Sequence, residues 1–236
     1  MGARIVLVDN QDSFVYNLVD ALAVAGFEYV VYRNTIDPKV VFDYNPDLIV
    51  LSPGPGHPLE AGSMMDIIKQ AYGTIPILGI CLGFQALLEH FGGDVRPVGP
   101  VHGVSDIMEL TEEGVASGLF EGLTIDSGPD LPGVIGTKVP VARYHSLGCT
   151  DVPAELLSLA TCTSDAGTVT MAARTRDNMA IGLQFHPESV LTPSGPHIIN
   201  RCVEALSTTA TQPAAAPSNA DATHKADTAD TADTKE

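Results

Sequence analysis

An α/β fold with a mostly parallel central sheet flanked by helices is predicted by the first 90 residues. There, short apolar runs ("RIVLVD", "FEYVVYR", "DLIVLS", "IPILGI") alternate with stretches of helical periodicity. Alternation of this kind builds a parallel sheet with helices on both faces. The second half reads differently. "VSDIMEL", "VPVARYHSL", "LLSLATCT", "TVTMAART" and "MAIGLQFHP" are strand-like with few helices between them. They predict an antiparallel or mixed extension of the same sheet.

Each element has a local reason. "RIVLVD" is a short apolar run and reads as a buried strand. In "DSFVYNLVDALAVAG", Phe14, Leu18, Leu22 and Val24 fall at near-helical spacing, with Asp12 or Ser13 as N-cap and Gly26 as the stop. "FEYVVYR" and "DLIVLS" are the second and third strands, followed by the loop "PGPGHPLEAG". "SMMDIIKQAYG" is a helix, "IPILGI" the fourth strand and "LGFQALLEHFGG" its helix. "GPHIINRCVEALS" is a last amphipathic helix. One domain over residues 1–207 is expected. Residues 208–236, rich in Ala, Thr, Asp and Pro, hold no large apolar residue and read as a disordered low-complexity tail.

Composition narrows the function. The chain has 236 residues, 44% of them hydrophobic, enough for a real core. No apolar run reaches the length of a membrane span. The start "MGARIVLVD" is too short and strand-like for a signal peptide, and it lacks a Ser or Thr at position 6 for myristoylation. A cytoplasmic protein is expected. The net charge of −17 argues against nucleic acid and anionic membranes as partners. Cys81, Cys149, Cys162 and Cys202 are spaced by 68, 13 and 40 residues, so they form no CxxC metal or redox pair.

Three motifs carry chemistry. "GICLG" places Cys81 between Gly79 and Gly83 where a strand gives way to a helix, the layout of a nucleophile elbow with Cys for Ser. A helix N-terminus there favours a thiolate, and the Leu82 N–H can face a developing oxyanion. A buried core cysteine with incidental glycines is the competing reading. Among seven histidines, His186 in "QFHPES" has a carboxylate two residues on, Glu188. In an extended segment the two project to the same side, and Pro187 ends ladder pairing there. Glu188 can then orient the imidazole, although surface His–Glu pairs are also common. "SPGPG", residues 52–56, follows the third strand and gathers at the same sheet edge. It could hold a polar substrate or be a plain turn.

Taken in order, "SPGPG", "GICLGFQ", "ARYHSL" and "GLQFHPES" closely resemble the class I glutamine amidotransferases. "VDNQDSFVYNL" and "YRN" resemble the subgroup serving chorismate, which contains anthranilate synthase component II and the glutaminase of aminodeoxychorismate synthase. The resemblance runs from about Ile5 to Leu206. It implies that Cys81 attacks the side-chain amide of L-glutamine, His186 passes a proton to leaving ammonia, and Glu188 orients His186. It further implies that Gly54, Pro55, Gly56, Gln85, Ser146 and Leu147 hold glutamine, with backbone at Gly56 and Leu82 stabilising the oxyanion. A separate chorismate-binding synthase subunit (component I) is the implied partner, because the folded residues are used up by the amidotransferase. No metal or organic cofactor is expected in this chain; Mg²⁺ is expected in the partner.

Three positions depart from the family pattern. Phe84 stands where the subgroup often has His, and is expected to line the pocket. Val104 stands where Lys is usual, in a partner-facing region. Residues 123–140 are longer than usual and read as an exposed loop, a tolerated insertion in the favoured reading, with covering the site or touching the partner as the alternatives. The alternatives are an amidotransferase subunit of another pathway, a non-catalytic regulatory subunit, or a related cysteine hydrolase on the same fold.

Overall fold

The computed structural model describes residues 3–210. Beyond Ala210, the stretch read as a tail lies outside the described residues. The last helix itself runs to Ala210, three residues into that stretch.

Four short strands form the parallel part of the sheet: β1 (Arg4–Asp9), β2 (Glu28–Arg33), β3 (Leu48–Leu51) and β4 (Ile77–Ile80). All of β3 and β4 is buried, as a sheet covered on both faces requires. Two two-residue strands, β5 (Arg96–Pro97) and β8 (Leu147–Gly148), pair apart from the main sheet. The second half supplies β6 (Val104–Leu110), β7 (Lys138–Arg143), β9 (Leu156–Ser164), β10 (Gly167–Thr175) and β11 (Ala180–Leu183). The nine-stranded order is β2-β1-β3-β4-β11-β10-β9-β6-β7. β11 runs parallel to β4 and antiparallel to β10, so it joins the parallel half to the antiparallel extension. The expected mixed sheet is what the chain forms.

Helices cover both faces. The helices α1 (Val15–Val24) and α6 (Gly195–Ala210) bury Leu18, Leu22, Ile198, Ile199 and Cys202 against one face. On the other lie α2 (Pro38–Asp43), α3 (Met64–Ala71) and α4 (Leu82–His90). An eight-residue helix such as α3 is marginal by itself. Met64, Ile67 and Ile68 are fully buried, and at about 1.5–3 kcal/mol per large apolar side chain their burial holds it in place. A fifth helix, α5 (Glu112–Ala116), is capped by Thr111, whose hydroxyl accepts from Gly114 N at 3.0 Å.

Some local expectations are corrected. Asp12 does not cap α1; its carboxylate accepts from Phe14 N at 2.6 Å and closes the turn before the helix. Gly26 does end that region with φ +80, the left-handed conformation glycine adopts freely. Phe84 does not line the pocket. It is 1% exposed, in the core on the α2–α3–α4 side, and its ring occupies the space a side chain on Gly182 of β11 would need. The segment read as a long loop becomes β7 from Lys138 onward. Its irregular part is tied back by Asp126, which accepts from Thr137 N and Lys138 N, both at 2.9 Å. It lies over α5 and Phe120, whose groove contains none of the motif residues. Val104 opens β6 and is half exposed.

Candidate active site

The sheet register places the motifs. Parallel pairing sets Ile80 of β4 beside Leu183 of β11, and Cys81 N donates to Leu183 O at 2.7 Å. Both strands end at this edge, so the segment after β4 and the segment after β11 emerge side by side. The first carries Cys81 and the second carries Gln184, His186 and Glu188.

Cys81 sits at φ +50, ψ −101, between β4 and α4. Few residues other than glycine adopt a positive φ, and strain of about 1–3 kcal/mol at such a position persists only where the surroundings enforce it. The surroundings here are close. A Cβ on Gly79 would fall 2.6 Å from Gly83 O, and one on Gly83 would strike Leu51 of β3. The two glycines let strand, bend and helix approach to backbone contact. Leu82 opens α4, so its N–H is among the first amides of the helix, which have no acceptor within it.

His186 is 3% exposed. Its Nδ1–H donates to Glu188 Oε1 at 2.6 Å. The carboxylate's other oxygen, Oε2, is buried with no hydrogen-bond partner, so the imidazole is the group that answers its charge. Burial opposes a charged His186, but hydrogen bonds and charge attraction from Cys81 and Glu188 outweigh it and push its pKa well up. Tyr144 and Phe14 hold the ring edge-on, with centroids 4.9 and 5.7 Å away. Thr192 O–H donates to His186 O at 2.7 Å, and His186 N donates to Ala142 O of β7 at 3.0 Å. The absence of a side chain on Gly195 lets the start of α6 press on Pro187 O.

The "SPGPG" loop meets the elbow. A Cβ on Gly54 would fall 2.6 Å from Asn10 O and 2.8 Å from Leu82 Cδ2. Asn10 anchors the loop, accepting nothing at Oδ1 but donating Nδ2 to Ser52 O at 2.8 Å. Pro55 and Gly56 are exposed at the rim, Gly56 with φ +83. Opposite, Ser146 is exposed and Leu147 is half-buried. Leu147 O accepts from Gln85 Nε2 and from His145 Nδ1, both at 2.9 Å. The two donors of Gln85 go to Leu147 O and Gln184 Oε1, leaving its carbonyl oxygen for another partner.

Sequence reasoning passed over three polar residues. Arg143 is 3% exposed and bonds Asp106 Oδ2 at 2.6 Å. Its Nε–H also donates to His145 Nε2 at 3.3 Å. His145 must therefore be neutral with its proton on Nδ1. Burial, with the Arg143 charge beside it, lowers its pKa to about 4. Gln184 is completely buried and reaches Cys81 Sγ. Its one sequence signal is parity with His186 and Glu188, two and four residues on. The other cysteines lie elsewhere: burial pushes the Cys162 and Cys202 thiols up to about 12. No group of three or more His, Cys, Asp or Glu with metal-holding geometry occurs among the described residues. None of their helices is long and apolar enough to cross a membrane.

The site therefore sets a buried His–carboxylate pair beside a cysteine on a strained strand-to-helix bend, with the Gly–Pro loop packed against it. The model described as glutamine amidotransferase class-I matches residues 6–206, and the chain belongs to that family. Among its relatives, "Anthranilate synthase component 2" of Corynebacterium glutamicum is 60% identical over 203 residues, covering 86% of this chain and 98% of that one. The protein of the same name from Vibrio parahaemolyticus is 38% identical, covering 86% and 95%. A glutamine amidotransferase crystal structure from Thermotoga maritima superimposes with a TM-score of 0.60 at 15% identity, covering 88% and 99%. At that identity the likeness is one of fold.

Proposed function

We propose that this chain is the glutaminase subunit of an anthranilate synthase, hydrolysing L-glutamine and delivering ammonia to a chorismate-binding partner. The observation that carries the reading is the convergence of Cys81 with the His186–Glu188 pair at the paired ends of β4 and β11. The names of relatives matched over nearly their full length support the pathway.

The chemistry follows from the groups present. Cys81 Sγ, as thiolate, attacks the side-chain carbonyl carbon of glutamine and forms a C–S bond. The carbonyl oxygen takes the negative charge and meets the N–H groups of Leu82 and Gly56. His186, held charged by Glu188 and Cys81, gives its Nε2 proton to the leaving nitrogen. The C–N bond breaks, ammonia departs and a glutamyl thioester remains. Water then attacks, its proton goes to the now neutral His186, and the C–S bond breaks to release glutamate and restore Cys81.

Around that centre, Gly54, Pro55, Gly56, Ser146 and Leu147 offer backbone and hydroxyl dipoles to glutamine's zwitterionic head. The free Gln85 carbonyl oxygen suits its α-ammonium. These steps are nucleophilic and acid–base, and side chains of this chain perform them; Mg²⁺ is assigned to the partner. Free ammonia in water would be protonated and lost as a nucleophile, so it travels through a closed path into component I.

The test combines this chain with a chorismate-binding component I, glutamine, chorismate and Mg²⁺, and identifies the product. Glutamine-dependent anthranilate is expected. Aminodeoxychorismate would move the chain to the other chorismate pathway. Product from ammonia salts but none from glutamine would overturn the reading.

A further inference from the structure

We infer that Gln184 is a fourth functional side chain at the reacting sulfur, donating its Nε2–H to Cys81 Sγ and tying that sulfur, through Gln85, to the segment that holds glutamine. The inference rests on the reading of Cys81 as nucleophile.

Gln184 is 0% exposed, and a buried carboxamide must find partners for its donors and acceptor or lose the hydration it had in the unfolded chain. Its surroundings dictate which way the amide faces. Leu147 O is a carbonyl and can only accept, so the NH₂ end of Gln85 faces it at 2.9 Å. The second hydrogen on that nitrogen points at Gln184 Oε1, 3.3 Å away. Gln184 therefore accepts with its oxygen, and its NH₂ is turned to the sulfur, at 3.8 Å. Reversing either amide would set two donors or two acceptors against each other.

The backbone fixes the same arrangement. Gln184 N donates to Met171 O at 2.8 Å, where β10 departs from regular pairing with β9. Bulges of this kind re-aim side chains near sites. Leu183 O, one residue back, receives Cys81 N. The backbone of the nucleophile is thus bonded to the residue that directly precedes Gln184.

A contact of 3.8 Å is long for a neutral thiol, but a charged acceptor draws its donor closer and binds it more strongly. The bond is made to the thiolate and weakens once sulfur carries the acyl group. Gln184 thereby aims the free nucleophile. It couples that aim to occupancy of the glutamine site, because its own oxygen is held by the Gln85 amide that holds Leu147.

The test uses the complex with the chorismate-binding partner and measures glutamine hydrolysis by Gln184→Glu and Gln184→Met. Glu keeps the acceptor for Gln85 and, when ionised, replaces the donor at sulfur with an anionic oxygen. A fall in kcat of about 10- to 100-fold at pH 8 is expected, with KM within about threefold, since the lost bond is one to a charged group. Protonating the new carboxyl restores a donor, so its deficit relative to the parent protein narrows as pH is lowered from 8 to 6. The Met variant shows a deficit that does not change with pH. Circular dichroism and co-elution with the partner establish that each variant is folded, and the Met result stands if the Glu variant is not. A kcat within threefold of the parent for either folded variant, or a Glu deficit that does not vary with pH, would overturn the inference. Failure of the parent complex to hydrolyse glutamine would instead defeat the reading of the site itself.

Discussion

His145 gives the site a pH-dependent stability that can be calculated. The imidazole is buried, accepts from Arg143 and donates to Leu147 O, so a proton on Nε2 would face a guanidinium away from bulk solvent. Its folded pKa of about 4 lies below the unfolded value near 6.5. The unfolded chain therefore binds the proton first, and the folded state loses stability as pH falls through that window. At 1.36 kcal/mol per pKa unit, the difference amounts to about 3 kcal/mol between pH 7 and pH 4, a large share of a typical domain's 5–15 kcal/mol.

Other shifted groups act in a different direction or cancel in the comparison. His186 is shifted upward, so its contribution is complete below its unfolded value and is lost only as pH rises. Asp47 and Asp126 are held below the usual carboxylate range by their hydrogen bonds, to Arg4 and to the backbone of Lys138 and Thr137, and are common to parent and variant. His90 is also lowered by burial, but it is common to parent and variant and cancels. The perturbation is His145→Gln, which removes the titration while keeping a polar side chain. Urea unfolding at pH 7, 6, 5 and 4.5 should show the parent losing stability more steeply than the variant, by about 2 kcal/mol over that range. Equal slopes would refute the neutral, Arg143-bonded His145 described here.

Two further perturbations test the packing and the charge pair. Gly182→Ala drives a methyl into the Phe84 ring and should cost about 1–3 kcal/mol in urea unfolding, recovered in part by Phe84→Leu; an unchanged midpoint would mean the ring is not seated there. Glu188→Gln keeps the shape beside His186 but removes the charge that supports its protonated form. Glutaminase kcat in the complex should fall by about 10²–10⁴-fold, as when a triad carboxylate is neutralised, and a loss below tenfold would contradict its orienting role.

The features legible in the sequence were those with a local cause. Gly79 and Gly83 announce the elbow around Cys81 because backbone crowding there leaves no room for a side chain, and His186 and Glu188 announce themselves by spacing. What escaped depends on the far side of the sheet. Phe84 follows the elbow and reads as a pocket residue; only the β4–β11 pairing shows Gly182 making room for its ring in the core. Gln184 reads as an ordinary polar residue between Leu183 and Phe185 until the register sets it under Cys81. Arg143 and His145 lie in a quoted motif, but the ion pair that Arg143 makes is to Asp106 on β6, 37 residues earlier, and His145 is paired through Arg143 and Leu147. The short helix α2 was missed although Asp37 and Pro38 mark its start, because six residues are too few to show a period.

The central claim is that Cys81 becomes acylated by glutamine. The complex should be quenched in acid during turnover, digested and analysed by mass spectrometry. The account predicts a glutamyl adduct on the peptide carrying Cys81, absent in Cys81→Ser. Turnover with no adduct on that peptide, or with the adduct on Cys149, Cys162 or Cys202, would contradict it.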